Sequence, residues 1–402
     1  MKSASATTAN QLTKGTVYSI LFAISFGHFL NDLLQSVIPS VYPVLKDSFN
    51  LTFTQIGLIT LVFQLSASLL QPFVGYYTDR NPNPRSLAIG MGITLVGLLS
   101  LSFANSFLMI LMSVCFVGMG SSIFHPEASR VAQLASGGKK GLAQSIFQVG
   151  GNAGSAIGPL MAAAIIVPYG QPYIRWFGLF ALLAIVILTI VGNWYKVNMQ
   201  PKPVSAVQGS VEVSSNALSK SKITTSIVIL LLLIFSKYFY MASMTSYFTF
   251  YLIDKFDVSV QQSQIYLFAF LAAVAAGTIL GGPLGDKYGR KLIIWVSILG
   301  AAPFTLLLPH MDLTMTVVMA IIIGVIISSA FSAILVYATD LMPGKVGLIA
   351  GLFFGFAFGM GGLGSAVLGW LADRTSIIYV FHICAYLPLI GIVAGFLPNF
   401  RK

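Results

Sequence analysis

Apolar runs of about 20 residues, the length a helix needs to cross a ~30 Å hydrocarbon layer, follow one another almost from end to end of this 402-residue chain. Short turns separate most of them. Such a chain cannot build a water-facing surface: 56% of its residues are hydrophobic and 8% are charged, against about 25% charged in a soluble domain. The sequence predicts an all-α membrane protein with spans near 17–45, 52–78, 86–105, 107–134, 140–168 and 174–194, then 224–253, 259–285, 292–309, 314–342, 346–372 and 376–398. Six spans stand on either side of a break.

The net charge of +11 reads as a topology signal once the basic residues are placed. With the N-terminus in the cytoplasm, 16 of the 22 Lys and Arg fall in inside segments. Outside loops hold only Lys46, Arg175, Lys255 and Arg374, and the remaining two, Arg130 and Lys237, lie within spans. Cytoplasmic loops carry the excess of Lys and Arg, so both termini are expected in the cytoplasm. Scattered in short loops, these charges form no patch for nucleic acid. Cys115 and Cys384 fall inside apolar spans and read as packing residues rather than a disulfide or metal pair. Residues 1–16 are polar and the apolar stretch behind them is too long for a signal peptide, so the first span is expected to stay in place.

The expected organisation is a cytoplasmic tail over 1–16, a six-helix bundle over 17–194, a cytoplasmic linker over 195–223 rich in Ser, Val, Lys and Pro, a second bundle over 224–398 and a tail over 399–402. The halves correspond at an offset of about 207 residues: Gly75, Asp79 and Arg80 lie over Gly282, Asp286 and Lys287, and Gly141, Phe147 and Gly158 over Gly347, Phe353 and Gly364. Duplication explains the shared order of spans, loop and glycines. Two parallel repeats about an axis along the membrane normal enclose a cavity near the midplane.

Between the eighth and ninth spans stands Gly282-x-x-x-Asp286-Lys287-x-Gly289-Arg290-Lys291, and the first half has a degenerate copy in Gly75, Asp79, Arg80 and Arg85, with Asn81-Pro-Asn-Pro replacing the rest. This motif resembles the signature loop of the major facilitator superfamily, which implies the two-bundle fold and alternating access. Gly allows two helices to approach, and Asp can pair with an Arg or a helix N-terminus, so Gly75, Asp79, Arg80, Gly282, Asp286 and Arg290 are candidates for a conformational gate. A third look-alike, Gly369-x-x-x-Asp373-Arg374, falls on the outer side and is read as coincidence. Gly154-x-x-x-Gly158-Pro159 in the fifth span resembles the motif of family antiporters, although small-xxx-small packing occurs in any bundle.

Longer strings, among them His28-Phe-Leu-Asn31-Asp32, Gly120-Ser-Ser-Ile-Phe-His125-Pro126-Glu127 and Phe235-Ser-Lys237-Tyr238-Phe-Tyr240, resemble a branch of that superfamily that confers resistance to a phosphonate antibiotic. That resemblance implies export of fosmidomycin from a bacterium across the inner membrane, in exchange for protons.

Charges within spans are costly, by about 2.5–3.5 kcal/mol on insertion scales, so each needs a partner or a task. Asp32, Glu127, Arg130 and Lys237 are the ones away from span ends. His28, Asp32 and Gln35 recur at i, i+4 and i+7 and share one face of the first span. Asp32 there either takes up protons or forms a standing pair with Arg130. Pro126 is expected to break the regularity of the fourth span and open a site, where Glu127 either couples protons or neutralises Arg130 one turn away. His125 and His28 can relay protons or serve as hydrogen-bonding residues.

For an anionic substrate, Arg130 and Lys237, one from each half, form a candidate clamp, with Tyr238, Tyr240, Tyr247 and Tyr251 around Lys237. Gln144, Gln148 and Asn152 make an amide stripe on the fifth span. The expected substrate-binding set is His28, Arg130, Lys237, Gln148, Asn152 and Tyr240, and the proton-coupling set Asp32, Glu127 and His125. No metal spacing, phosphate loop or catalytic constellation is present, so the expectation is a non-enzymatic secondary transporter working as a monomer with protons, lipid and a small anion as partners. It needs no cofactor beyond a proton gradient. A proton-coupled uptake symporter for an organic anion on the same fold is one alternative, and an intramembrane enzyme, which would need a reactive constellation, is the alternative of another class.

Overall fold

The structure, a computed structural model, describes residues 15–81, 83–137, 140–198, 219–342 and 346–399, and these are helical apart from caps and turns. Among the described residues, eleven helices are long and apolar enough to cross a membrane. The twelfth expected span, the third, is the apolar helix Ser86–Ser102 of 17 residues, the lower end of the length that spans. In hydrocarbon no water satisfies a backbone N–H or C=O, so a helix that closes its own ladder is the form such segments take.

Caps fix where spans begin. Thr52 accepts from the Gln55 N–H while the Gln55 side chain accepts from the Thr52 N–H at 2.9 Å, a reciprocal capping box opening the second span. Ser259 and Gln262 repeat it at the eighth span, and Ser106, Asp312 and Ser376 cap the fourth, tenth and twelfth. All five caps lie on the face away from the chain termini.

Proline sets several of the departures from the expected spans. The first span ends at Ser40, one residue beyond Pro39, and a separate helix Tyr42–Phe49 completes the segment. The second divides into Phe53–Leu69 and Gln71–Arg80 ahead of Pro72, because a proline ring clashes with the carbonyl four residues back. Pro159 precedes a π-helical turn at Ala162–Ile166. The fourth span is a single helix from Phe107 to Leu134 with Pro126 inside it, so this proline does not divide its span as Pro72 divides the second. The sixth span continues to Asn198 and the seventh begins at Lys220, so helix enters both ends of the expected linker. Residues 199–218 and both expected tails, apart from Gly15, Thr16 and Asn399, lie outside the described residues.

Within the first half, the fifth span lies along the first because glycine removes the side chain at each crossing point. A methyl group on Gly150 would meet the Ser25 carbonyl, one on Gly154 the Phe29 carbonyl, and one on Gly158 the Ser36 hydroxyl. The Gly154/Gly158 stripe is therefore a packing seam with the first span. Between halves, the second span lies along the eleventh and the fifth along the eighth. One hydrophobic core joins both halves through Leu45, Tyr247, Tyr251, Leu368 and Phe381, on the face away from the termini. A second, including Leu230, Ile294, Ile334 and Phe353, belongs to the C-terminal half alone and lies toward the termini. The two bundles are thus fused at one end.

Replacing Gly154 by Leu forces the first and fifth spans apart and should lower stability by about 1–3 kcal/mol, the usual cost of overpacking. Thermal unfolding of detergent-purified protein should show a lower midpoint for this variant than for Gly355→Leu, where open space surrounds the glycine.

Candidate translocation site

Between the fused halves lies a cavity of about 270 Å³. Its N-terminal wall carries Asp32, Gln35, Gln64 and His125, and its C-terminal wall carries Thr245, Ser246, Leu267, Leu271 and Phe358. The ionisable groups among these lining residues come from one half, facing a wall of hydroxyls and apolar side chains.

Asp32 is the centre of that charged wall. The Nε2 of His28, one turn earlier on the same helix, is 3.2 Å from one carboxylate oxygen, and the Nε2 of His125 on the fourth span is 3.5 Å from the other. The Asn31 amide donates to Asp32 Oδ1 at 2.9 Å. Both imidazoles are held from behind: His28 Nδ1 donates to the Phe147 carbonyl at 2.8 Å and His125 Nδ1 to the Ser121 carbonyl at 3.0 Å. A carbonyl only accepts, so Nδ1 carries the proton in each ring. The His28 ring stacks on Phe147 with centroids 4.0 Å apart and is buried. Gly151 closes over it, since a methyl there would strike the His28 ring and come within 2.7 Å of Asp32 Oδ2.

The expected face of His28, Asp32 and Gln35 is therefore split: Asp32 and Gln35 line the cavity, while His28 turns into the bundle behind them. Asp32 meets two imidazoles where a standing pair with Arg130 was the alternative. Arg130 pairs instead with Glu127 at 2.8 Å across one helical turn. Glu127 is fully buried and also accepts from the Ser86 hydroxyl at 3.1 Å. Neutralisation of Arg130, the simpler of the two readings for Glu127, is the contact present.

Lys237 is buried on the seventh span, its ammonium 3.4 Å from the Ser328 carbonyl and 5.4 and 5.6 Å from the ring centres of Tyr238 and Phe331. Among the described residues no carboxylate stands within ion-pair distance of it. The tyrosines do not all surround it: Tyr240 is buried in the core, Tyr247 donates to the Ser365 carbonyl at 2.6 Å, and Tyr251 accepts from Lys255 at 3.0 Å. Along the fifth span Gln148 is exposed, Asn152 is half-buried with an amide nitrogen lacking a partner, and the Gln144 side chain lies outside the described residues. None of Arg130, Lys237, Tyr240, Gln148 and Asn152 lines the 270 Å³ cavity.

The gate residues divide by face. Arg290 pairs with Asp340 at the end of the tenth span. Gly75, Asp79 and Arg80 lie in the helix Gln71–Arg80, and Gly282 and Asp286 in Val260–Tyr288, but their side-chain placements lie outside the described residues. The opposite face holds a clasp that sequence reasoning set aside. Asp373 accepts from the backbone N–H groups of Phe53 and Thr54, each at 2.7 Å, and from the Thr54 hydroxyl at 2.6 Å. It caps the second span from the other half of the molecule. Gly369, one turn before it, sits where a methyl would strike the Phe53 carbonyl, and Gln264 donates to the Ser40 carbonyl at 2.8 Å across the same seam. Gly369-x-x-x-Asp373 is thus a contact between halves.

Besides Asp373, sequence reasoning gave no role to Asp340, Ser86 or Gly151. Asp340 and Asp373 carried one signal, a carboxylate at the end of an apolar span.

Two bundles fused at one face around a cavity with one charged wall, all built from membrane-crossing helices, define a multi-pass membrane transporter. The chain belongs to the major facilitator superfamily, whose profile matches residues 24–362 and 230–400. It is 58% identical over 389 residues to the fosmidomycin resistance protein of Escherichia coli (strain K12), covering 96% of this chain and 94% of that one. It is 43% identical to the uncharacterized MFS-type transporter YfnC of Bacillus subtilis (strain 168), with 96% and 94% covered. Among solved structures, a bacterial homolog of the human lysosomal transporter Spinster, inward-facing and unoccupied, aligns with a TM-score of 0.73 at 17% identity over 94% of this chain and 96% of that one. The nucleoside transporter NupG aligns at 0.72 and 13% identity over 95% and 100%. These two likenesses carry the fold alone.

Asp373→Asn keeps the size of the side chain but removes its charge and turns one of its two accepting oxygens into a donor, so at least one of the three hydrogen bonds is lost. The population separated at that face should rise about tenfold. Electron–electron resonance distances between spin labels at the exposed Ser48 and Thr314, one from each half on the clasped face, should show it as a longer component.

Proposed function

We propose that the chain is a secondary active efflux transporter that exports an anionic small molecule, such as the phosphonate antibiotic fosmidomycin, by proton antiport through alternating access. The observation that carries this reading is Asp32, a carboxylate on the wall of an inter-half cavity with two imidazoles aimed at it. Such a cluster takes up protons from whichever side the cavity faces and releases them on the other. Glu127, hydrogen-bonded and paired with Arg130, couples to it less directly. The family and the 58% identity to a fosmidomycin resistance protein support the substrate class, and export follows from what resistance requires.

Lys237 supports the anion. A buried ammonium with a carbonyl and two ring faces around it is an incompletely compensated charge in a medium where that is costly. A phosphonate supplies the missing partner, and Arg130, His28, Gln148, Asn152 and Tyr240 complete the proposed binding set as the bundles rock. In this cycle the signature-loop residues act at one face, where Arg290 is held by Asp340 of its own half, and Asp373 holds the other. With the interior negative, moving an anion outward is favoured by roughly 2.3 kcal/mol per charge per 100 mV, so voltage assists a charged cargo and protons add a gradient that voltage alone does not exploit.

Everted membrane vesicles energised to an acidic interior test this directly. Adding fosmidomycin should release protons from the interior, seen as recovery of acridine fluorescence. Asp32→Asn should abolish that response while leaving substrate binding in place, and Lys237→Met should weaken binding by about 10- to 100-fold, the worth of a charge-assisted hydrogen bond. A full proton response from Asp32→Asn would remove the coupling role from this residue.

A further inference from the structure

We propose that His28, Asp32 and His125 form a binding site for one divalent transition-metal ion of the zinc class, entered from the inter-half cavity. Their ligand atoms all lie within 4.8 Å of one another. In a tetrahedral site with metal–ligand bonds of about 2.0–2.2 Å, neighbouring ligand atoms stand about 3.3–3.6 Å apart. Each Nε2 stands near that spacing from its own Asp32 oxygen, 3.2 Å from Oδ2 for His28 and 3.5 Å from Oδ1 for His125, so the carboxylate spans the two rings and a bound ion draws the three groups closer together.

The second observation is the way the rings are held. Each imidazole gives its Nδ1 proton to a backbone carbonyl, Phe147 for His28 and Ser121 for His125. That is the outer arrangement that fixes the tautomer and orientation of metal-binding histidines. It leaves two Nε2 lone pairs directed at a carboxylate. Three acceptors facing one another repel unless positive charge stands between them, and either protons or a metal ion provides it.

Two imidazole nitrogens and one carboxylate oxygen suit zinc, cobalt or nickel, whereas magnesium and calcium prefer all-oxygen shells. Asp32 and His125 line the cavity, so the fourth position opens to water and the ion can exchange. Spans one and four both belong to the N-terminal half, so the ion does not tie the halves together. Its effect is to occupy the lone pairs that would otherwise accept protons. It is an inhibitor of the cycle, not a resident cofactor. Metal binding stands apart from the direction of transport, and only the inhibition rests on the proton-exchange reading above.

The chain has four histidines, and the other two, His310 and His382, form their own pair with ring centres 5.1 Å apart, which gives an internal control. Cobalt(II) titrated into the detergent-purified full chain should produce the intense visible bands of a tetrahedral site, saturating at one ion per chain. The His310→Asn/His382→Asn double variant should bind as the parent does. His28→Gln and His125→Gln should each weaken binding by about 100-fold, at the upper end of what losing even an outer partner costs a metal site. Thermal unfolding should show zinc raising the midpoint of the parent and the double variant but not of folded His125→Gln. A chain that gives no saturable tetrahedral spectrum, or one retained in His125→Gln, overturns the site. Zinc that binds as described yet leaves the vesicle proton response intact keeps the site and instead overturns the coupling role of the cluster.

Discussion

A carboxylate in the middle of a hydrocarbon slab is the constraint on which this architecture turns. Asp32 is tolerable there only because two imidazoles, an amide and a cavity surround it, and each of those depends on helix packing elsewhere. The fifth span must lie close enough to the first for the Phe147 carbonyl to reach His28, which Gly150, Gly151 and Gly154 allow by having no side chain at the contact. The fourth span must present His125 to the first, and it does so at 3.5 Å from Asp32. One ion-bearing site thus fixes the rotation of three helices.

Among the described residues, several other charges are compensated locally and Lys237 less completely. Glu127 and Arg130 satisfy each other within a turn, Lys255 donates to the carbonyls of Pro309 and Met311 at 2.8 and 3.0 Å, and Asp373 takes two backbone N–H groups and a hydroxyl. Lys237 meets a carbonyl and two rings. The halves thus differ in their buried charges, and in the proposed cycle the N-terminal cluster carries protons while the C-terminal cation meets the anion. The Asp373 clasp and the core shared through Tyr247 and Phe381 hold the face away from the termini together, which leaves movement to the other face.

Much of the fold was legible in the sequence because membrane span length is set by a physical thickness. Apolar runs of that length, separated by turns, give helix number and order almost without reference to tertiary structure, and Pro39, Pro72 and Pro159 mark or precede changes in helix geometry. Pro126 leaves its span undivided, because a proline removes one helical hydrogen bond without obliging the helix to end. The site was legible only in part. That Asp32 shares a face with His28 follows from 3.6-residue periodicity, but that His125 converges on it depends on the relative rotation of two helices, which no single-helix pattern encodes. Asp373 was misjudged for a related reason: its partner is a helix N-terminus 319 residues away in sequence, and a backbone donor leaves no trace in residue identity.

The central claim is that protons and an anionic cargo share one alternating cavity between the bundles. Purified protein in liposomes, with fosmidomycin flux followed while the pH gradient and the membrane voltage are imposed one at a time, measures it most directly. The account predicts that a pH gradient alone, at zero voltage, drives the drug toward the acidic compartment against its own gradient. Flux that answers to voltage but is indifferent to the pH gradient would contradict it.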